Sequence, residues 1–228
     1  MDRLKNSLMI FTAIAMTAFL LKRLLGAFAI TVPLMFMFFD VGYSLRVVWL
    51  WVKMRMMNYR VDLMDKSVMT FHVLPSDLDV FLHMNNSRYL RALDFARYEH
   101  FLGSGMSSVL RKHKCRFILA ATTIRYRRSL ELFQKIKLTT KIVYWDDRAF
   151  YFEHHFIDEE GFVSAVAFSK VAVTQTRRQK DDRIPMKVLF EEASGSVIDV
   201  LIPPRDLEHW LEYNTLSSEA LSMHKKEN

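Results

Sequence analysis

The residues best suited to chemistry lie in one short segment, Asp77 to Asn86, near the middle of the chain. The segment reads Asp-Leu-Asp-Val-Phe-Leu-His-Met-Asn-Asn, so it holds two carboxylates, one imidazole and two amides. An amphipathic stretch, 87–101, follows at once and predicts a helix. Unpaired backbone N–H groups and the helix dipole favour negative charge at the start of a helix. This arrangement suits acyl transfer, in which a carbonyl oxygen becomes an oxyanion.

The segments on either side predict the elements that would position these groups. Residues 68–74 read as a short strand, and the helix extends to about residue 102, with an asparagine as its cap and two glycines at its end. Period-two alternation then predicts strands at 135–142 and 150–156, a largely apolar stretch predicts another at 117–126, and 162–173, apolar on both faces, predicts a central strand. One helix packed on one antiparallel sheet is an α+β layout.

The first 55 residues contain two apolar runs, 7–21 and 24–39, separated by Lys22 and Arg23. A spanning helix needs roughly 20 apolar residues. The stretch 24–45 reaches that length if Asp40 lies near the membrane interface, where a charge costs little. A cleaved signal peptide and a buried core helix are the alternatives, and the second apolar run argues against both. We therefore expect residues 1–55 to form a hydrophobic membrane anchor.

The charges indicate where the globular part would lie. Lys53, Arg55 and Arg60 follow the second apolar run, which favours a cytosolic domain. The last four residues, 225–228, read Lys-Lys-Glu-Asn and resemble the dilysine signal of endoplasmic reticulum membrane proteins. The net charge of +7 predicts an anionic partner, either a membrane surface or a phosphorylated ligand. No nucleic-acid motif is present, so we expect no nucleic-acid partner.

Residues 181–228 are expected to form a C-terminal extension, in which 205–223 read as an amphipathic helix. The polar residues 176–183 before it predict a loop. Cys115 is the only cysteine, so an intramolecular disulfide is excluded and a buried apolar role is favoured. The histidines are scattered, and we expect neither a metal site nor a cofactor.

The central segment resembles the hotdog-fold thioesterases. The resemblance rests on a spaced set of residues: Asp77, Asp79, His83, Asn85, Asn86, Tyr89 and Leu90. Further matching blocks lie at 145–151 and 209–214. The resemblance implies a curved antiparallel sheet around one long helix, which we assign to residues 56–180. It also implies a homodimer or higher oligomer, and acyl-coenzyme A or acyl-carrier-protein thioesters as the substrate class.

The resemblance also implies roles for residues of the segment. Asp79 corresponds to the carboxylate that acts as nucleophile or general base, and His83 to a second catalytic group. Asn85, Asn86 and Tyr89 are the candidates for substrate binding, although both asparagines also suit helix capping. Phe81 stands where plant members have asparagine, and Leu82 where many bacterial members have glycine.

Three functions therefore stay open: a membrane-anchored acyl thioesterase, an acyl-binding protein without turnover, and a dimerising scaffold at the endoplasmic reticulum. Three arginines, at 125, 127 and 128, can bind the phosphates of coenzyme A or lie at a solvated sheet edge, and the second is favoured.

Overall fold

The computed structural model describes residues 2–175, 184–197 and 201–227. The chain forms two compact units, Met1–Leu50 and Trp51–Asn228. The first unit consists of α1 (Asp2–Phe38) and most of α2 (Val41–Met57). Among the described residues, one helical segment, Met16–Phe38, is long and apolar enough to cross a membrane by length and composition.

The predicted span 24–45 is wrong at its end. α1 ends at Phe38, and Asp40 caps α2 by accepting a hydrogen bond from the Tyr43 N–H at 3.0 Å. A carboxylate in this position starts a new helix because it satisfies a backbone donor that has no partner within the helix. Among the described residues the candidate span is Met16–Phe38, so it contains Lys22 and Arg23 and ends before Asp40.

The second unit has the predicted order of a strand, a helix and four strands. The elements are β1 (Ser67–His72), a 3-10 turn (Pro75–Asp77), α3 (Asn86–Gly103), α4 (Met106–Lys112), β2 (Cys115–Tyr126), β3 (Lys135–Trp145), β4 (Ala149–Ile157), β5 (Val163–Gln175), α5 (Met186–Ser194) and α6 (Arg205–Glu227). The short helices α4 and α5 were not predicted. Seven and nine residues are too few to show a clear helical period.

The five strands form one antiparallel sheet in the order β1-β3-β4-β5-β2. β5 is paired on both sides, which explains why its sequence is apolar on both faces. β1 and β2 are the two edges of the sheet. The α+β prediction is confirmed.

α3 packs on one face of this sheet along its whole length. Near its start, Tyr89 and Leu93 are buried against Ile136, Leu138 and Phe156. Near its end, a second cluster surrounds Phe101, whose ring lies 5.6 Å from that of Phe150 and 5.3 Å from that of Phe152. Full burial of each such side chain stabilises the fold by about 1.5–3 kcal/mol, so the position of α3 is fixed at both ends.

The end of α3 depends on a glycine. A Cβ atom on Gly103 would lie 2.8 Å from Cε1 of Tyr59, a distance that carbon atoms do not reach without displacement. Gly105, two residues on, has a φ of +78° and precedes α4. Gly105, which follows the cap residue Ser104, therefore ends the helix as predicted, whereas Gly103 is the last helical residue and permits close packing against Tyr59.

The opposite, outer face of the sheet is covered by α6. Leu207 is buried there with Ala149, Tyr151 and Phe168, and Trp210 packs beside them. The predicted amphipathic helix is thus confirmed, and it forms a third layer over the sheet. The predicted loop 176–183 and the side chains of 224–228, including the two lysines of the tail, lie outside the described residues.

Candidate functional site

Asp77 holds the two ends of the central loop together. Its buried carboxylate accepts a hydrogen bond from the Leu74 N–H at 3.0 Å, and its own N–H donates to the Leu74 carbonyl at 2.8 Å. Its carbonyl accepts the Asn85 N–H at 2.8 Å. These bonds join the strand side of the loop to the helix side, so Asp77 has a structural role.

Asp79 stands at the start of a tight turn that ends at His83. The Asp79 N–H donates to the His83 carbonyl at 2.9 Å, and the Leu82 N–H donates to the Asp79 carbonyl at 3.1 Å. One carboxylate oxygen, Oδ1, accepts the Phe81 N–H at 2.8 Å. The other oxygen, Oδ2, makes no hydrogen bond to any described residue, and the side chain is half-buried. The turn therefore orients the carboxylate and leaves one oxygen for water or substrate.

His83 is held by its backbone, whereas its ring is exposed. The backbone pairs with Glu131, and the next residue, Met84, donates its N–H to the Leu130 carbonyl at 2.8 Å. The imidazole makes no hydrogen bond within the described part of the chain. The side chain is thus not needed to hold the loop, and the turn puts it on the same five-residue segment, 79–83, as Asp79.

Asn85 and Asn86 stand at the start of α3. Asn85 is the helix cap, and its side-chain oxygen accepts the Ser87 N–H at 2.9 Å and the Ser87 hydroxyl at 2.7 Å. Asn86 is the first helical residue, and its carbonyl accepts the Tyr126 hydroxyl at 3.2 Å. The capping prediction is confirmed for Asn85, because its side-chain oxygen accepts a hydrogen bond from a backbone N–H in the first turn of the helix. The Asn86 side chain is exposed.

Tyr89 lies in the core and not on the surface of the site. It is 2% exposed, and its ring centre is 5.0 Å from that of Tyr126 and 5.1 Å from that of Phe156. Burial raises the pKa of Tyr89 to about 12, although a backbone hydrogen bond at Leu130 opposes the shift. Tyr89 therefore packs α3 against the sheet.

The residues between Asp79 and His83 point into solvent. Val80, Phe81 and Leu82 are all exposed, and Leu82 has a φ of +61°. This left-handed conformation favours glycine because a Cβ atom crowds the backbone. Leu82 thus adopts a backbone conformation that glycine usually occupies, and its side chain projects from the turn.

Sequence reasoning missed a buried polar group beneath α3. The Arg97 guanidinium is ion-paired with Asp94 and donates to the Ser169 hydroxyl at 3.0 Å. Next to it, Nδ1 of His154 lies 2.9 Å from the Thr140 hydroxyl. Burial lowers the pKa of His154 well below its usual value, and the Arg97 charge acts in the same direction. The signal in the sequence was the position of His154 among buried phenylalanines on one face of β4.

His100, one helical turn beyond Arg97, is also buried. Its Nε2 lies 3.0 Å from the Leu63 carbonyl oxygen and its Nδ1 lies 3.1 Å from the Ser67 hydroxyl. Burial lowers the pKa of His100 to about 4, so the ring is neutral at physiological pH. These contacts tie α3 to β1 and to the segment before it.

A cavity of about 220 Å³ opens between α3 and β2. Its helix side is formed by Leu90, Leu93 and Arg97, and its strand side by 119–122. The walls are mainly apolar, and Leu90 lies in the second turn of the helix that starts beside Asp79. The cavity can therefore take an apolar group between α3 and the edge strand β2.

Two of the three arginines that were candidates for binding coenzyme A contact the β4–β5 turn. The guanidinium groups of Arg127 and Arg128 lie 4.6 Å and 4.0 Å from the centre of the Phe162 ring. Arg128 is also ion-paired with Asp158 at 3.2 Å and with Glu160 at 3.0 Å. Both guanidinium groups therefore lie just beyond the end of the edge strand β2, against the β4–β5 turn.

Sequence comparisons identify the relatives of this chain. Residues 73–193 match the family model described as the Thioesterase-like superfamily. The chain is 37% identical over 187 residues to Protein THEM6 of Xenopus laevis, which covers 82% of this chain and 86% of that protein. It is 36% identical over 189 residues to Protein THEM6 of Danio rerio, which covers 82% of this chain and 90% of that protein.

A solved structure shares the fold. The probable thioesterase YbaW from Escherichia coli superposes with a TM-score of 0.51 and 22% sequence identity, over 57% of this chain and 98% of that one. The predicted hotdog fold is confirmed, and α6 lies outside the matched family region, which ends at residue 193. The family model and the identity to full-length relatives agree, so the chain belongs to the thioesterase-like superfamily.

Proposed function

We propose that this protein is a membrane-anchored hydrolase of acyl thioesters, with Asp79 as its general base or nucleophile. The observation that carries the proposal is the Asp79 carboxylate, which is oriented by the Phe81 N–H through one oxygen and keeps the other open. The turn that holds the carboxylate ends at His83, two residues before the cap of α3, where backbone N–H groups and the helix dipole favour an oxyanion.

The reaction follows from these groups. Asp79 removes a proton from water, and the resulting hydroxide attacks the thioester carbonyl, whose oxygen becomes negative near the start of α3. When the carbonyl re-forms, the C–S bond breaks. The leaving thiolate takes the proton from Asp79, and the products are a free acid and a thiol. Direct attack by Asp79 would instead break the C–S bond, release the thiolate, and leave an anhydride; water then hydrolyses the anhydride to the free acid and the Asp79 carboxylate, and the proton released converts the thiolate to the thiol. In this proposal the His83 ring, which is exposed, orients water or substrate.

The substrate class is an acyl chain linked to coenzyme A or an acyl carrier. The apolar cavity between α3 and β2 suits the acyl part, and the net charge of +7 suits a phosphorylated carrier. Asn86 is exposed at the helix start and is the better placed of the two asparagines for substrate contact. Asn85 and Tyr89 would act indirectly, through the cap and the packing of α3.

We further propose a homodimer at the endoplasmic reticulum membrane, with the globular domain in the cytosol. β2 is a twelve-residue edge strand with exposed apolar side chains, Ile118 and Leu119, and such edges pair with another strand. The apolar helix Met16–Phe38 supports an anchor, and the basic residues that follow it support a cytosolic domain.

A hydrolysis assay tests the enzymatic function. Full-length protein in detergent would be given a panel of acyl-coenzyme A esters, with free thiol as the readout. Asp79→Asn is expected to lower kcat about 100-fold or more, because the general base is lost. Asp147→Asn, an exposed aspartate in a turn, removes the same charge and is expected to leave the rate unchanged. Equal rates for wild type and both variants would rule out Asp79 catalysis.

One observation favours an acyl-binding protein without turnover as the second candidate. The Leu82 side chain occupies a glycine-like position of the loop, where it crowds the approach of a thioester to the turn. Saturable binding of acyl-coenzyme A without thiol release would select this function. If neither binding nor turnover is found, a dimerising scaffold at the membrane becomes the better account.

A further inference from the structure

Two turns, 79–83 and 131–134, lie side by side at the end of the sheet where β3 begins. The backbone of His83 in the first turn pairs with that of Glu131 in the second. The second turn is closed by a hydrogen bond of 3.2 Å from the Gln134 N–H to the Glu131 carbonyl. The turn that holds Asp79 therefore shares one surface with a segment far from it in the sequence.

This surface carries five exposed apolar side chains: Val80, Phe81, Leu82, Leu132 and Phe133. Val80 is 89% exposed and Phe81 is 77% exposed. Side chains as open as these do not line a groove, because the walls of a groove would cover them. The two turns thus form a convex apolar surface, which we call the apolar tip.

Two side chains of the apolar tip are held outward by an unfavourable backbone conformation. Leu82 and Phe133 each have a φ of +61°. A left-handed conformation costs free energy for any residue with a Cβ atom. Neither side chain gains packing in return, since Leu82 is 72% exposed and Phe133 is 64% exposed. Backbone strain that supports an exposed apolar surface points to a partner for that surface.

Cationic residues follow each of the two turns along the chain. Arg88 lies in the first turn of α3, and Lys135 and Lys137 are exposed at the start of β3. The acidic residues of the two turns are Asp79 and Glu131. Apolar side chains flanked by lysine and arginine are typical of surfaces that enter the interface of a bilayer containing anionic lipids.

We propose that the apolar tip inserts into the interface of the bilayer to which this chain is anchored. The inference rests on the proposed membrane anchor, for which Met16–Phe38 is the candidate span. A bilayer fits a convex tip because lipids rearrange around it, whereas a protein partner needs a recess of matching shape. An anchor in the same chain keeps the tip at a high local concentration near lipid, so a small apolar surface is sufficient.

Insertion has a consequence for the substrate. Asp79 begins the first of the two turns, so an inserted tip brings its carboxylate to the membrane surface. Acyl thioesters are amphiphiles, and each CH₂ group of the acyl chain favours the bilayer over water. The inference therefore selects thioesters dissolved in the membrane as the substrate class, in preference to those dissolved in the cytosol.

Fluorescence of full-length protein in liposomes of phosphatidylcholine and phosphatidylserine tests the contact. In a Cys115→Ser background, Phe81→Cys or Phe133→Cys would carry an environment-sensitive fluorophore. We expect blue-shifted emission that is quenched by lipids brominated on their acyl chains. Asp147→Cys is the matched control, because Asp147 is exposed in the turn at the other end of β3, roughly 33 Å away along the strand. Equal quenching at all three positions would overturn the proposal.

The other outcomes separate the tip from the anchor. A wild-type chain that does not float with liposomes in a density gradient would refute the anchor, and insertion with it. A chain that floats, with water-like emission from positions 81 and 133, would refute insertion alone. Blue-shifted emission that brominated lipids do not quench, and that grows with the ratio of protein to lipid, would show that a second copy covers the tip instead.

Phe133→Asn gives a readout on activity. Asparagine tolerates a positive φ, so the turn is kept while the apolar side chain is lost. We expect KM for a palmitoyl-coenzyme A ester in liposomes to rise about 10-fold, as one apolar side chain leaves the lipid. Hydrolysis of the water-soluble acetyl ester should be unchanged. Equal effects on both esters would contradict insertion, whereas a wild type that hydrolyses neither ester would refute the hydrolase and leave insertion to the fluorescence result.

Discussion

The Asp79 carboxylate and the Phe81 N–H are joined by a hydrogen bond of 2.8 Å inside the turn that precedes α3. The bond uses the side chain of the candidate catalytic residue to stabilise its own loop. Asparagine keeps an oxygen that can accept the same bond, whereas alanine does not. Asp79→Asn therefore removes the charge and preserves the turn, which makes it the informative variant of the hydrolysis assay.

We expect Leu82→Gly to stabilise the protein by about 1 kcal/mol. The φ of +61° costs a leucine roughly 1–2 kcal/mol, and glycine adopts this conformation without that cost. Part of the gain is offset by the greater backbone freedom of glycine in the unfolded chain. Denaturant unfolding measures the change. Phe81→Gly, at an exposed neighbour without a positive φ, is the control and should destabilise the fold.

The cap of α3 gives a second prediction. Asn85→Ala should cost about 1 kcal/mol, because the Ser87 N–H loses its acceptor, while Asn85→Asp should keep most of the stability. Thermal unfolding would compare the two variants. A change in KM for Asn85→Asp at unchanged stability would contradict a purely structural role and return Asn85 to the substrate-binding residues.

Tyr89 can be tested in the same way. Since its ring is enclosed by Tyr126 and Phe156, Tyr89→Ala should destabilise the protein by about 3–5 kcal/mol. Tyr89→Phe retains the ring and should leave KM for an acyl-coenzyme A ester unchanged. A large increase in KM for Tyr89→Phe would instead show that the hydroxyl contacts substrate, and the packing explanation would fail.

Acid should destabilise the protein through its buried histidines. The pKa of His100 is about 4 in the folded state, against about 6.5 when unfolded, so the unfolded chain binds the proton first. The stability contributed by the neutral ring is complete above pH 6.5 and is lost as the pH falls toward 4, by on the order of 3 kcal/mol.

The measurement is the free energy of unfolding between pH 4 and pH 8. His100→Gln cannot titrate, so its stability should fall less steeply in this window than that of the wild type. His154, whose pKa is also lowered by burial, contributes in the same direction and accounts for part of the slope that remains. Parallel curves for the wild type and His100→Gln would argue against a role for His100.

Much of the fold could be predicted from local patterns. The alternation of apolar and polar residues predicted β3 and β4, largely apolar runs predicted β2 and β5, and an asparagine followed by an amphipathic stretch predicted α3. These signals are local because side-chain direction repeats every two residues in a strand and every 3.6 in a helix. The same reasoning failed at Asp40, because the apolar stretch 24–45 is not one continuous helix: α1 ends at Phe38 and Asp40 caps α2.

The sequence by itself determined which residues form the loop and which elements surround it, because these depend on spacing and residue type. Tertiary structure decided how each side chain is used: Asp77 ties the loop, Asn85 caps α3, Tyr89 is buried, and Asp79 keeps one oxygen open. It also placed His154 beside Arg97, and the turn 131–134 beside the loop. Such contacts join residues far apart in the chain, and only packing of the helices on the sheet brings them within reach.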